Sequence, residues 1–160
     1  MESKEFLEKW ILESISQPHQ ILNDLPICPF AKNAYLENKV KIIEVTDYVN
    51  EITEQLHQWD DSYEVIVFVC PHNIIAHDFV EQVELLNNKF VPLNLALLED
   101  HVDIEEKIGS LVFNNGKYNI ILVQRLDKLN QAADKLHKTL YYKNWPKEYY
   151  EQVVGWRTNA

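Results

Sequence analysis

The sequence predicts an α/β fold, a single four-stranded mixed sheet, mostly parallel with an antiparallel edge pair, flanked by helices. Three observations predict it. Val65–Cys70 is a short, β-branched apolar run stopped by Pro71, the pattern of a strand buried on both faces. Ile75, Phe79, Val83 and Leu86 follow at the spacing of one helical face. The same strand-then-helix alternation recurs, giving β-α-β-α-β-β-α from Val40 onward behind one or two N-terminal helices, and such alternation implies crossover connections and a parallel core.

Taken in order, Glu2–Ile15 sets Phe6, Leu7, Trp10, Ile11 and Ile15 on one face, with acid in the first turn as the helix dipole favours. Gln17-Pro18-His19 ends it. Pro26 and Pro29 bracket Ile27-Cys28, and Pro29 suits the opening of a short helix over Phe30–Glu37, since its missing N–H would be unpaired there anyway. Val40–Val45 reads as a strand. Asp47 is placed to cap a helix Tyr48–Trp59, whose Val49, Ile52 and Leu56 are helically spaced. After the turn Asp60-Asp61-Ser62 come strand Glu64–Cys70 and helix Ile75–Asn87.

Phe90–Leu98 has the length of a strand opened by Pro92, although LNLALLED alone is compatible with a helix; it is read here as strand. Glu99–Phe113 is acidic and weakly periodic, a short helix or an excursion. Asn114-Asn115-Gly116-Lys117 is the strongest turn signal, because Asn-Gly readily supplies positive φ. Tyr118–Gln124 follows as a strand. Leu126, Leu129, Ala133, Leu136 and Leu140 mark a long amphipathic helix, and Pro146 opens a last one.

Composition narrows the function classes. The 160 residues suit one domain, 1–160, with 46% hydrophobic and 25% charged side chains. Three glycines leave no Gly-rich phosphate loop. A net charge of −10 speaks against nucleic acid and anionic membrane as partners, both of which need a cationic surface. Two cysteines make no disulfide framework and fit a reducing compartment. The start, MESKEFLEKW, lacks the apolar core of a signal peptide, and the longest apolar run is too short to cross a bilayer. The expectation is a soluble cytoplasmic protein.

The chemistry-bearing residues gather at Cys-Pro elements. Cys70 and His72 lie just past the carboxyl end of the central strand, where open α/β sheets bind ligands. Cys28 stands at its own Pro-marked helix start, and a helix N-terminus or an imidazolium lowers a thiol's pKa. The expected site therefore has Cys28, Cys70 and His72 as catalytic groups, with Lys32, His77 and Pro92 binding the ligand. Against this, free cysteine commonly packs as a small apolar group. Cys28, Cys70, His72 and His77 number enough for zinc, but their spacing matches no finger, and no metal is expected. Cofactors are not indicated. His101, among Glu99, Asp100, Asp103, Glu105 and Glu106, belongs to a run that reads as a solvated face or a hard-cation site.

The element order, with Val91-Pro92 before the third strand and Asn115-Gly116-Lys117 before the fourth, resembles the thioredoxin-like fold. In that fold the active cysteine ends the first strand, where this chain has Thr46-Asp47, so the resemblance implies architecture and no redox activity. Cys28-Pro29-Phe30-Ala31 resembles the glutaredoxin C-P-F/Y-C motif with its second cysteine replaced by Ala31. Ile27–Ala31, Val65–His72 and Asn119–Leu136 are together similar to a bacterial family that is a domain of unknown function. The third strand departs from that family, with Leu97-Leu98-Glu99 where it has an F-H-P segment. The resemblance supports the domain and brings no chemistry.

The functional expectation is a small molecule bound or transformed at the carboxyl ends of the strands. The alternative is a non-catalytic interaction module, a homodimer through Trp145, Tyr149, Tyr150 and Trp156 in the aromatic C-terminal segment.

Overall fold

The structure is a computed structural model and describes residues 2–158. Helix α1, Glu2–Lys9, runs on into a π-helical turn, Trp10–Ser14. A two-residue ladder joins β1 (Pro18–His19) to β2 (Leu25–Pro26). Helix α2 (Ala31–Leu36), strand β3 (Val40–Glu44), helix α3 (Tyr48–His57), strand β4 (Val65–Cys70) and helix α4 (Ala76–Phe90) follow. Strand β5 (Leu95–Asp100) leads to a small hairpin of β6 (Lys107–Ile108) and β7 (Leu111–Val112), then to β8 (Asn119–Arg125) and α5 (Leu126–His137). The chain closes with α6 (Lys147–Tyr150), a π-helical turn (Glu151–Gly155) and α7 (Trp156–Thr158).

The main sheet is four-stranded and mixed, in the order β3-β4-β8-β5. β3 pairs parallel with β4, while β8 pairs antiparallel with both β4 and β5. Three strands thus share one direction, but the antiparallel one lies inside the sheet. Only one neighbouring pair is parallel, fewer than the sequence pattern suggested. The reason is that the connection Val102–Tyr118 begins and ends at one end of the sheet, Asp100 pairing with Ile120, so β8 returns antiparallel between β4 and β5.

Strand alternation divides the core. Ile66, Phe68 and Cys70 of β4, with Ile121 and Val123 of β8 and Leu95 and Leu97 of β5, meet Ile52 and Leu56 of α3 and the α4 stripe Phe79, Val83, Leu86 and Phe90. Val67, Val69 and Ile120 face the opposite way, onto Leu7, Phe6 and Trp10 of the first helix. None of Ile66–Cys70 is more than 6% exposed, so β4 is covered on both faces as its unbroken apolar run requires. A third cluster sets Leu22, Ile108 and Tyr141 among Tyr142, Trp145 and Tyr149.

Two local expectations are corrected. Phe90–Leu98 is not one strand. Helix α4 continues to Phe90 because that ring extends the α4 stripe by four residues, and a 3-10 turn, Val91–Leu93, precedes β5. The turn is closed by Asn94 at φ 63, whose carbonyl and side-chain oxygens accept the N–H groups of Leu126 and Asp127. Pro92 is trans, as is every peptide bond among the described residues. At α3 the cap is Glu51, whose Oε2 accepts the Thr46 and Asp47 N–H groups at 2.8 Å, while Asp47 takes the Asn50 amide. The β6–β7 hairpin turns at Gly109, φ +59, where a Cβ would lie 2.5 Å from the Ile21 side chain.

Candidate functional site

The loops at the carboxyl ends of β4 and β5 are tied together by two buried polar side chains. Asn119, fully buried, accepts the Val102 N–H with Oδ1 and donates from Nδ2 to the Pro71 carbonyl. His101, also buried, accepts the Asp103 N–H at Nδ1 (3.0 Å) and faces the Ile74 carbonyl with Nε2 (2.7 Å). Those partners fix its tautomer, with the proton on Nε2. Both nitrogens are occupied, so this histidine is a strut and no ligand for a cation.

Asp100 is the second anchor, and it overturns the reading of the acidic run as a solvated face. It is 5% exposed and accepts from Asn114 Nδ2 (2.7 Å), Asn115 N (3.0 Å) and Asn115 Nδ2 (2.7 Å). Asn114 Oδ1 in turn accepts the Glu106 N–H, and the Glu106 carbonyl accepts from Phe113. The Asn-Asn-Gly segment therefore clamps the excursion after β5 and fixes where Glu106 stands.

That arrangement frames a cleft of about 1010 Å³ along the open edge of strand β5. One wall is α4 and the turn after it, with Val80, Val83, Glu84, Val91 and Pro92. The floor is Leu97, Leu98 and Glu99, and the rim is Ile104–Lys107. Tyr149, Glu151 and Trp156 close the remaining side. Tyr149 is held by stacking on Trp145 (5.1 Å between centroids) and by an edge contact with Phe113 (5.9 Å). Asn87 finishes the wall: its amide donates to the Leu97 carbonyl and accepts the Leu97 N–H, mimicking a neighbouring strand on the open edge of β5.

The electrostatics of this cleft are unusual. Burial, reinforced by Asp100 and then Glu99, pushes the Glu106 carboxyl up to about 8. Burial, and to a smaller extent Glu84, also raises Glu99. Tyr149 is raised by burial and by Glu106 and Asp100. Glu106 can therefore hold or exchange a proton near neutrality, which an ordinary carboxyl cannot. Lys107, the one cationic side chain in the lining, is paired with Glu105 at 3.0 Å.

The residues expected from sequence fall in several places. Cys70 is core: 4% exposed, its thiol 3.8 Å from the Phe68 carbonyl, and pushed up to about 12 by burial. Cys28 is half-buried in a different neighbourhood, close to Tyr141 and Tyr142, and Tyr141 donates to the adjoining Ile27 carbonyl. The Phe30 and Ala31 N–H groups favour its thiolate, but burial outweighs them and raises its pKa. His72 is exposed, its ring 5.6 Å from Tyr118. The structure thus does not gather Cys28, Cys70 and His72 around one cavity. Lys32 is exposed on α2. His77 is exposed beside Asp78 and Glu81, and these three form the only set of metal-capable side chains with ligand atoms within 4.8 Å among the described residues. A more open hollow of about 680 Å³ lies next to them, between Tyr48 and the start of α4. Pro92 alone among the expected residues lines the large cleft.

Comparison with family models, with curated proteins and with solved structures finds no match. The chemistry must be read from the residues themselves.

Sequence reasoning assigned Glu99 and Glu106 to a solvated face or a hard-cation site and Tyr149 and Trp156 to a homodimer surface, and it did not bring the two groups together. The available signal was that the acidic run carries Ile104 and Ile108 at four-residue spacing, so part of it had to turn inward. The aromatic segment likewise turns inward: Tyr141 is 4% exposed, and Tyr142, Trp145 and Tyr149 pack on the third cluster. No helix among the described residues is long and apolar enough to cross a membrane.

Proposed function

We propose that the protein binds a small molecule in the cleft between α4, the β5 edge and the C-terminal Tyr149–Trp156 segment, with Glu106 as its proton-exchanging group. The observation that carries this reading is the coincidence of a walled cavity of ligand size with a half-buried carboxyl poised near neutral pH. The thiols are packing groups in this reading, because raised pKa values leave them as unreactive thiols at neutral pH. The aromatic segment is engaged within the chain, which makes it a wall of the cleft and weakens its claim as a docking surface for a second copy.

The test is a fragment screen by amide chemical shifts on uniformly labelled protein, with neutral, anionic and cationic probes. Hits that cluster on Val83, Leu98, Glu106 and Trp156 support the reading. Hits confined to other surfaces, or none in any charge class, refute it.

A further inference from the structure

We infer that the cleft takes an organic cation, an aliphatic molecule bearing protonated primary or secondary amines, with its ammonium groups among Glu84, Glu99 and Glu106 and its apolar stem along Val83, Val91 and Pro92. The inference rests on the cleft being the ligand site and names the ligand class for it.

Charge is the first ground. The lining carries five carboxylates, Glu84, Glu99, Glu105, Glu106 and Glu151, against the single cation Lys107, which Glu105 already holds. The other four have no basic partner within ion-pair distance among the described residues. Burial is the main reason that Glu99 and Glu106 resist ionising, and neighbouring carboxylates, Glu84 for Glu99 and Asp100 and Glu99 for Glu106, add to it.

Shape separates an organic cation from a metal ion. The carboxylates come from four places in the chain, namely α4, β5, the Ile104–Lys107 rim and the C-terminal turn. No three of them bring oxygens within 4.8 Å, the His77 trio being the only such set among the described residues. A divalent ion needs several oxygens at 2.0–2.6 Å, so these dispersed acids are poorly suited to chelation. A flexible amine several carbons long spans such spacing and donates N–H groups to more than one carboxylate. Its methylenes match the valine and proline wall. Two aromatic faces, Tyr149 and Trp156, are too few for the cage that selects quaternary ammonium, so N–H donors are favoured over methylated nitrogen.

Spermidine is the probe. Titration into labelled protein at pH 7.5 should give saturable shifts confined to Glu84, Leu98–Lys107 and Tyr149–Trp156. Sodium chloride and magnesium at matched ionic strength should leave those amides in place, and tetramethylammonium should bind at least tenfold more weakly. Calorimetry in two buffers of different ionisation enthalpy should show release of a proton on binding, because the bound cation drives Glu106 to ionise. Glu106→Gln should abolish that release, and Glu84→Gln, on an exposed position of α4, should weaken binding about tenfold, with changes in the free spectrum confined to α4 and the amides near Glu99. Shifts reproduced by salt, or spread over the acidic surface at large, overturn the inference. Neutral or anionic fragments that occupy the cleft while spermidine does not would overturn the ligand class and spare the site. Failure of every charge class would remove both.

Discussion

Replacing Glu106 with Gln should change how stability depends on pH more than it changes stability itself. The folded carboxyl titrates at about 8 against an ordinary 4.5. Between those values the folded protein holds a proton that the unfolded chain has released, so stability falls as pH rises. The slope from this group is about −1.4 kcal/mol per pH unit, and the full interval amounts to about 5 kcal/mol. Glu106 lines an open cleft, and water screens part of that penalty, so about 2–3 kcal/mol is expected. Gln keeps the shape and cannot ionise. Urea unfolding followed by tryptophan fluorescence should give equal stabilities for the two proteins near pH 5. The variant should then gain steadily, reaching about 2–3 kcal/mol above the parent by pH 8.5. Parallel curves across that range would refute the argument, because they would mean that Glu106 ionises as freely in the fold as in the unfolded chain.

Asn119→Leu should destabilise by about 1–3 kcal/mol in the same assay, since the Val102 N–H and the Pro71 carbonyl both lose the buried side chain that joins them. Hydrogen exchange should speed up in both loops, and a change confined to one would contradict its bridging role. Asn87→Ala should cost about 1–2 kcal/mol and leave the Leu97 backbone edge open, so faster exchange at Leu97 and a greater tendency to associate are expected on light scattering. With Cys70 at about 12, only about 10⁻⁴ of it is thiolate at pH 8, so a disulfide reagent should modify it at the rate of global unfolding. Rapid labelling of Cys70 in native protein would count against its place in the core.

Much of the scaffold was legible because its signals are local. The β4 run has no polar residue, and it is covered on both faces. The α4 and α5 stripes are regular and both helices form, but α5 stops at His137 and leaves Leu140 of the expected stripe exposed beyond it. The misread boundary at Phe90 shows the limit. Pro92 has the position of a strand opener in the sequence, whereas in the fold Phe90 completes the helical stripe and Pro92 merely follows its end. The sheet order was hidden for a different reason: nothing in Asn119–Arg125 states which neighbours it will find after an excursion of this length. The site was the least legible part. Glu106 is fixed by Asn114, which Asp100 holds, and it meets Tyr149 from the far end of the chain. Spacing alone cannot bring those residues together. Cys70 and His72, two residues apart, separate because β4 ends at Cys70, which packs into the core, while His72 lies beyond Pro71 in an exposed turn.

The central claim is that a carboxyl in this cleft is held neutral by its surroundings, and carboxyl carbon NMR of selectively labelled glutamate reads that directly. The account predicts that the Glu106 resonance titrates well above the ordinary carboxyl range in the free protein and moves to lower pH when an amine is bound. A Glu106 carboxyl that titrates in the ordinary range near 4.5, with or without the amine, would contradict it.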